Sequence, residues 1–296
     1  MIANRQLASA ALKALHSHGA HDVPRVAGSE LKRLVWGSGP ALTVLLHGVG
    51  DCALVWDPVV RSMRPRGTVV ALDLPGHGNS DPWPADRMSV ESIAEGVSHA
   101  IEPFGASSLV FVGHSLGAQV AIHLADRYRE RTAALMLVDG GPYTRQAANA
   151  AIYEKLRQTP DRHESLDDYL AVLRARFPLA EERVLAQFAD GTSKRNADGL
   201  FELKCGAELA TSVQYSSDEQ LVERLQRLAC PTLVVRGAWS SVLPVQEAQR
   251  MLDHLDIGGL VEVPEAGHCV PLENPAGLGA VLEQYLDQVL DLVATT

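Results

Sequence analysis

A serine flanked by glycines, Gly113-His114-Ser115-Leu116-Gly117, directly follows the apolar run Leu109 to Val112 and leads into a helical pattern. That spacing suits a nucleophile. A sharp strand-to-helix turn thrusts the serine hydroxyl into the open, and only glycine at both flanks lets strand and helix approach closely enough to make the turn. The Ser115 hydroxyl would then lie beside a helix N-terminus, whose free N–H groups and dipole stabilise negative charge growing on a carbonyl oxygen. A serine hydroxyl is a poor nucleophile until a base takes its proton, and the base works best when a carboxylate holds it in one tautomer. The partners must come from 11 histidines and 36 acidic residues.

Positioning such groups requires a rigid scaffold. Five short apolar runs, Leu42 to Leu46, Thr68 to Leu72, Leu109 to Val112, Ala134 to Val138 and Thr232 to Val235, do not alternate with polar residues. Continuous β-branched and leucine-rich runs of this length fit strands buried on both faces of a parallel sheet. Helical patterns follow at 116–128 and 245–255, so the order of elements predicts a doubly wound α/β fold. A C-terminal helix opens with Asn274 as N-cap and Pro275 in its first turn, and then repeats Leu278, Val281, Leu282, Tyr285, Leu286 and Val289 on one face. Between Gly141 and Ala229 the alternation breaks for roughly 90 residues of helical periodicity with no convincing strand. Ser165 with Asp168, and Ser217 with Gln220, open helices there as capping boxes. The expected division is a core of 1–141 and 230–296 with an all-helical cap, 142–229, over one sheet edge.

Composition narrows the function classes. The 296 residues are 46% hydrophobic and 21% charged, which fits a folded globular chain. A formal net charge of −10 disfavours phosphate backbones and anionic lipid surfaces as partners. No apolar run approaches the roughly 20 residues needed to span a bilayer. The N-terminal stretch, interrupted by Lys13 and three histidines, lacks a sustained hydrophobic region, so a cytoplasmic protein without membrane or nucleic-acid partners is expected. Cys52, Cys205, Cys230 and Cys269 are scattered, and the loose cluster His16, His18 and His21 lacks a carboxylate-histidine helix motif, so no metal site is expected.

With four motifs in order, the sequence resembles the α/β-hydrolase superfamily over residues 30–292. Leu45-Leu46-His47-Gly48-Val49-Gly50 resembles the family's oxyanion loop, which implies that the N–H groups of Val49 and Leu116 form the oxyanion hole. Asp73-Leu74-Pro75-Gly76-His77-Gly78-Asn79-Ser80-Asp81 resembles the signature after the next strand. Pro264-Glu265-Ala266-Gly267-His268 resembles the loop of the catalytic histidine, implying His268 as the base for Ser115. The resemblance gives His47 and His77 loop-shaping roles.

The family's usual acid follows the last of the five runs in a Gly-x-x-Asp-x-x-x-Pro pattern. Here the stretch reads Gly237-Ala238-Trp239-Ser240-Ser241-Val242-Leu243-Pro244, and since some family members carry Ser-Asp where this chain has Ser240-Ser241, serine stands in the acid's place under either alignment. Some family members take the acid from an earlier strand, and Asp139 ends the run Ala134 to Val138, where strand ends face the crevice. Asp139 is the expected acid. Its competing reading is a cap on the turn that follows, and Glu265, three residues from His268, is the weaker alternative. Trp239, beside the vacated position, and His114 are expected to border the substrate. Phe177, Phe188 and Phe201 either line the pocket or pack within the insert.

These residues imply hydrolysis of a carboxylic ester, lactone or thioester through an acyl-enzyme on Ser115, without a cofactor, on a small-molecule acyl substrate. Carbon–carbon bond hydrolysis, acyl transfer, or a low-turnover ligand-binding protein are the alternatives. Serine in place of aspartate disfavours the dehalogenase and epoxide hydrolase branches. The stretch Gly48 to Ala53, with Asp73 downstream, also matches a dinucleotide fingerprint, but that reading leaves Ser115 and His268 unused. Oligomeric state is not legible.

Overall fold

Seven strands form the central sheet of the computed structural model, which describes residues 31–294. β1 (Arg33–Gly37) and β2 (Ala41–Leu46) precede a short helix α1 (Asp57–Arg61) and β3 (Thr68–Leu72). α2 (Val90–Ile101) leads into β4 (Ser108–His114), and α3 (Leu116–Arg127) into β5 (Thr132–Val138). The stretch 142–229 contributes α4 (Gln146–Gln158), β6 (Arg162–His163), α5 (Leu166–Arg176), α6 (Glu182–Thr192), β7 (Ser193–Arg195), β8 (Phe201–Leu203), α7 (Ala207–Ser212) and α8 (Asp218–Leu225). The chain returns through β9 (Thr232–Gly237), α9 (Val245–Leu252), β10 (Gly258–Val263), α10 (Val270–Glu273) and α11 (Pro275–Ala294).

The strand order is β1-β3-β2-β4-β5-β9-β10, parallel throughout except for the antiparallel edge pair β1–β3. Each apolar run serves both faces because successive side chains point to opposite sides of a strand. Leu42, Val44 and Leu46 join Phe111, Leu135 and Leu137 in one core, and Leu45, Val110, Val112, Met136 and Val138 enter the other. α2 and α3 cover the first face with Ile93, Val97, Val120 and Ala121. α1 and α11 cover the second with Val59, Val60, Leu278, Leu282 and Leu286. The proposed N-cap of α11 is present, since Asn274 Oδ1 accepts the Gly277 N–H at 2.8 Å.

The stretch 142–229 is not all helical. β6, β8 and β7 form a three-stranded antiparallel sheet, the strands of which are two or three residues long and mostly polar. Such pieces carry no period-2 apolar signal. Both capping boxes are formed, Ser165 with Asp168 at α5 and Ser217 with Gln220 at α8. Phe177 and Phe188 pack edge to face at 5.8 Å within the second core, so they hold the segment together. The four cysteines are free thiols. Among the described residues no helix is long and apolar enough to cross a membrane. His16, His18 and His21, and the N-terminal stretch that carries them, lie outside the described residues.

Candidate active site

The turn between β4 and α3 places Ser115 at φ 54° and ψ −114°, an unfavourable conformation for a residue with a side chain. The Ser115 N–H donates to the Val138 carbonyl at 3.1 Å, and its own carbonyl accepts the Ala118 N–H at 3.0 Å. The flanking glycines are demanded by contact. A methyl at Gly113 would lie 2.1 Å from the Gly117 carbonyl oxygen, and one at Gly117 would lie 2.2 Å from that of Leu46. Strand, helix and the end of β2 meet with no room for a Cβ.

His268 sits between β10 and α10, and its Nε2 lies 3.2 Å from Ser115 Oγ. Its Nδ1 lies 2.7 Å from Asp139 Oδ2. With Nδ1–H donated to the carboxylate, the neutral ring leaves its Nε2 lone pair facing the serine hydroxyl. Asp139 follows β5 at φ 46° and is fully buried. Its Oδ1 accepts the Gly237 N–H at 3.1 Å, and its Oδ2 also accepts the Ser240 hydroxyl at 2.6 Å. Ser240 Oγ in turn accepts the N–H groups of Val242 and Leu243 at 3.1 and 3.2 Å. Ser240 therefore contacts Asp139 directly, a contact with no signal in the sequence beyond a serine where a carboxylate is expected. Glu265 is exposed, and the carboxylate at His268 Nδ1 is that of Asp139.

Leu116 is the first residue of α3, so its N–H has no acceptor within the helix. Val49 is buried in the loop after β2. His47 anchors that loop. Its Nδ1–H donates to the Gly48 carbonyl at 2.8 Å and its Nε2 accepts the Leu74 N–H at 2.9 Å. Burial, only partly opposed by the Asp51 charge, lowers its pKa to about 4. Asp73 ties the same loop to the next, with Oδ1 accepting the Ala53 N–H at 2.7 Å and Oδ2 the Asn79 N–H at 2.8 Å. A 3-10 turn, Ala53–Trp56, and the five-residue α1 follow the loop, so it does not open the long helix that a dinucleotide fingerprint requires.

Two expected substrate contacts are corrected. His114 is buried beneath the histidine loop, donating from Nε2 to the His268 carbonyl at 2.9 Å, with Nδ1 3.4 Å from Asp51 Oδ2. Burial opposes its charge, yet the Asp51 carboxylate and the accepting carbonyl hold its pKa above the ordinary imidazole value. Trp239 does not border the cavity. Its backbone N–H is bound to the Ala266 carbonyl at 2.9 Å, and the residue is 62% exposed.

A cavity of about 550 Å³ reaches Ser115, Leu116 and Asp139. Gln146, Asn149, Ala150 and Tyr153 line it from α4 at the i, i+3, i+4, i+7 spacing of one helical face. Gln119 and Tyr215 line it from α3 and from the segment before α8, and the Tyr153 and Tyr215 hydroxyls hydrogen-bond to each other. Phe177, Phe188 and Phe201 are not among its lining residues. The polar wall was not anticipated, because Gln, Asn and Tyr at helical spacing read equally well as a solvated face.

A family model described as the alpha/beta hydrolase family matches residues 43–281. The chain is 30% identical over 270 residues, covering 85% of this chain and 76% of the relative, to an uncharacterized protein of Mycobacterium tuberculosis. It is 30% identical over 246 residues to the pimeloyl-[acyl-carrier protein] methyl ester esterase of Nitrosomonas europaea, covering 81% of this chain and 92% of that one. The crystal structure of an esterase from Mycobacterium tuberculosis superimposes with a TM-score of 0.75 at 26% identity, covering 95% of this chain and 96% of that one.

Proposed function

The chain belongs to the alpha/beta hydrolase family, and on that footing we propose that it hydrolyses a carboxylic ester, lactone or thioester through an acyl-enzyme on Ser115. The observation that carries this reading is the alignment of Ser115 Oγ, His268 and Asp139 at 3.2 and 2.7 Å, with the serine on a strained elbow facing the cavity. His268 Nε2 takes the hydroxyl proton as Ser115 Oγ attacks the acyl carbon, and Asp139 stabilises the imidazolium through Nδ1–H. The N–H groups of Leu116 and Val49 receive the oxyanion. Collapse breaks the bond to the leaving oxygen or sulfur, which takes the proton from Nε2. Water, deprotonated by the same imidazole, then attacks the acyl carbon, and as the bond to Ser115 Oγ breaks the imidazolium returns its proton to that oxygen, releasing the acid.

Residues 142–229 act as a cap over the site, since α4 and the segment before α8 supply much of the cavity wall. That wall is built largely of amides and hydroxyls, which stay hydrogen-bonded against a short polar acyl group and lose water against a long alkyl chain. A panel of matched esters, lactones and thioesters of increasing chain length tests the reading. Turnover of at least one class, fastest for short or polar acyl groups, is expected. No turnover of any class would contradict it.

A further inference from the structure

We propose that Ser240 is a positioning residue for this reaction, donating its single hydroxyl proton to Asp139 Oδ2 and so holding that carboxylate turned toward His268. This rests on the assignment of Ser115, His268 and Asp139 above, and concerns a side chain that is not among the residues lining the cavity.

A serine hydroxyl has one proton and two lone pairs. The N–H groups of Val242 and Leu243 approach Ser240 Oγ at 3.1 and 3.2 Å and occupy both acceptor positions. The hydroxyl proton therefore has one destination, Asp139 Oδ2 at 2.6 Å. From the side of the carboxylate the neighbours are all donors: Gly237 N–H at Oδ1, and Ser240 O–H and His268 Nδ1–H at Oδ2. With His268 in the Nδ1–H tautomer, all three contacts point their protons at the carboxylate oxygens and fix its orientation. Charge-assisted hydrogen bonds of this kind are about twice as strong as neutral ones.

The turn that presents Ser240 is itself fixed. Arg236, buried at the end of β9, donates from Nε to the Leu243 carbonyl at 3.0 Å and contacts the Ser240 carbonyl at 3.4 Å, while its guanidinium pairs with Glu262. The other titratable groups that act on Asp139 or through it are His268, His114 and Cys269. Ser240, in the turn after β9, thus supplies a proton to a carboxylate carried at the end of the neighbouring strand β5.

The test compares Ser240→Ala, Ser240→Thr and Ser240→Cys with the wild-type chain on one turned-over ester, measuring kcat and KM separately. Loss of the hydroxyl donor in the Ala variant should lower kcat by about tenfold or more, with KM little changed. The Thr variant should recover most of the rate. The Cys variant, close to serine in volume and a weak donor, should fold and remain slow. Wild-type kcat in the Ala or Cys variant, a loss carried by KM rather than kcat, or a Thr variant as slow as Ala, would overturn the proposal. Asp139→Asn run alongside separates the two levels. A slow Asp139→Asn with a fast Ser240→Ala removes only the role of Ser240, whereas a fast Asp139→Asn removes the acid assignment and this inference with it.

Discussion

The Nε2 of His114 lies 2.9 Å from the backbone carbonyl oxygen of His268, so the histidine before the elbow serine holds the loop of the histidine that faces it. Below it the Asp51 carboxylate is 3.4 Å from His114 Nδ1. Burial opposes charge on both groups, yet their attraction keeps the Asp51 pKa below and the His114 pKa above their ordinary values. His114→Phe would leave Asp51 buried without its partner, at a cost of about 3–5 kcal/mol. Urea unfolding should show a loss of that order, and the folded fraction should have a reduced kcat because the His268 loop has lost its tether. A variant with unchanged stability and kcat would show that the contact is incidental.

Asp139→Asn keeps the shape of the buried side chain and removes its charge. With no anion to hold Nδ1–H and stabilise imidazolium, kcat should fall by as much as about 10⁴ while KM changes little. Steady-state kinetics with a soluble ester, together with a melting curve, check this. Turnover within tenfold of wild type would return Asp139 to the role of a turn cap.

Acid should weaken the fold through His47. Burial lowers its pKa from 6.5 to about 4, and both ring nitrogens are used only in the neutral form, because Nε2 accepts the Leu74 N–H. The unfolded chain therefore binds the proton first. The contribution is complete above pH 6.5 and is lost as the pH falls toward about 4. Its size is on the order of 3 kcal/mol. Melting temperature should drop across that window, less steeply in His47→Asn. An equal slope in the variant would place the sensitivity elsewhere.

Gly117→Ala tests the packing of the elbow without altering a reacting group. The added methyl would lie 2.2 Å from the Leu46 carbonyl oxygen, so strand and helix must separate. Overpacking of this kind costs about 1–3 kcal/mol. Chemical denaturation should report a loss in that range or larger, with lower turnover from a displaced Ser115. Wild-type stability would mean the helix moves freely.

Much of this architecture can be read from residue pattern. Thr68–Leu72 coincides with β3, and Leu42, Leu109, Ala134 and Thr232 each begin runs that fall within β2, β4, β5 and β9, because strands buried on both faces are continuously apolar. The edge strands β1 and β10 are partly exposed, and their sequences RLVWG and GGLVEV carry no such run. His268 Nε2 lies 3.2 Å from Ser115 Oγ and its Nδ1 2.7 Å from Asp139 Oδ2, the first two residues marked by motifs and the third only by its place at a strand end. What pattern could not supply was the orientation of side chains across the chain. Nothing local distinguishes a Trp239 turned to solvent from one in a pocket, and nothing in Ser240 or His114 reveals the partners that lie 101 and 154 positions away.

The proposal that Ser115 is the nucleophile is tested most directly by treating the protein with a fluorophosphonate and locating the adduct by intact and peptide mass spectrometry. A single adduct on Ser115, formed slowly in His268→Ala and absent in Ser115→Ala, is the predicted result. Ester turnover that persists in Ser115→Ala, or an adduct that forms on another residue, would contradict it.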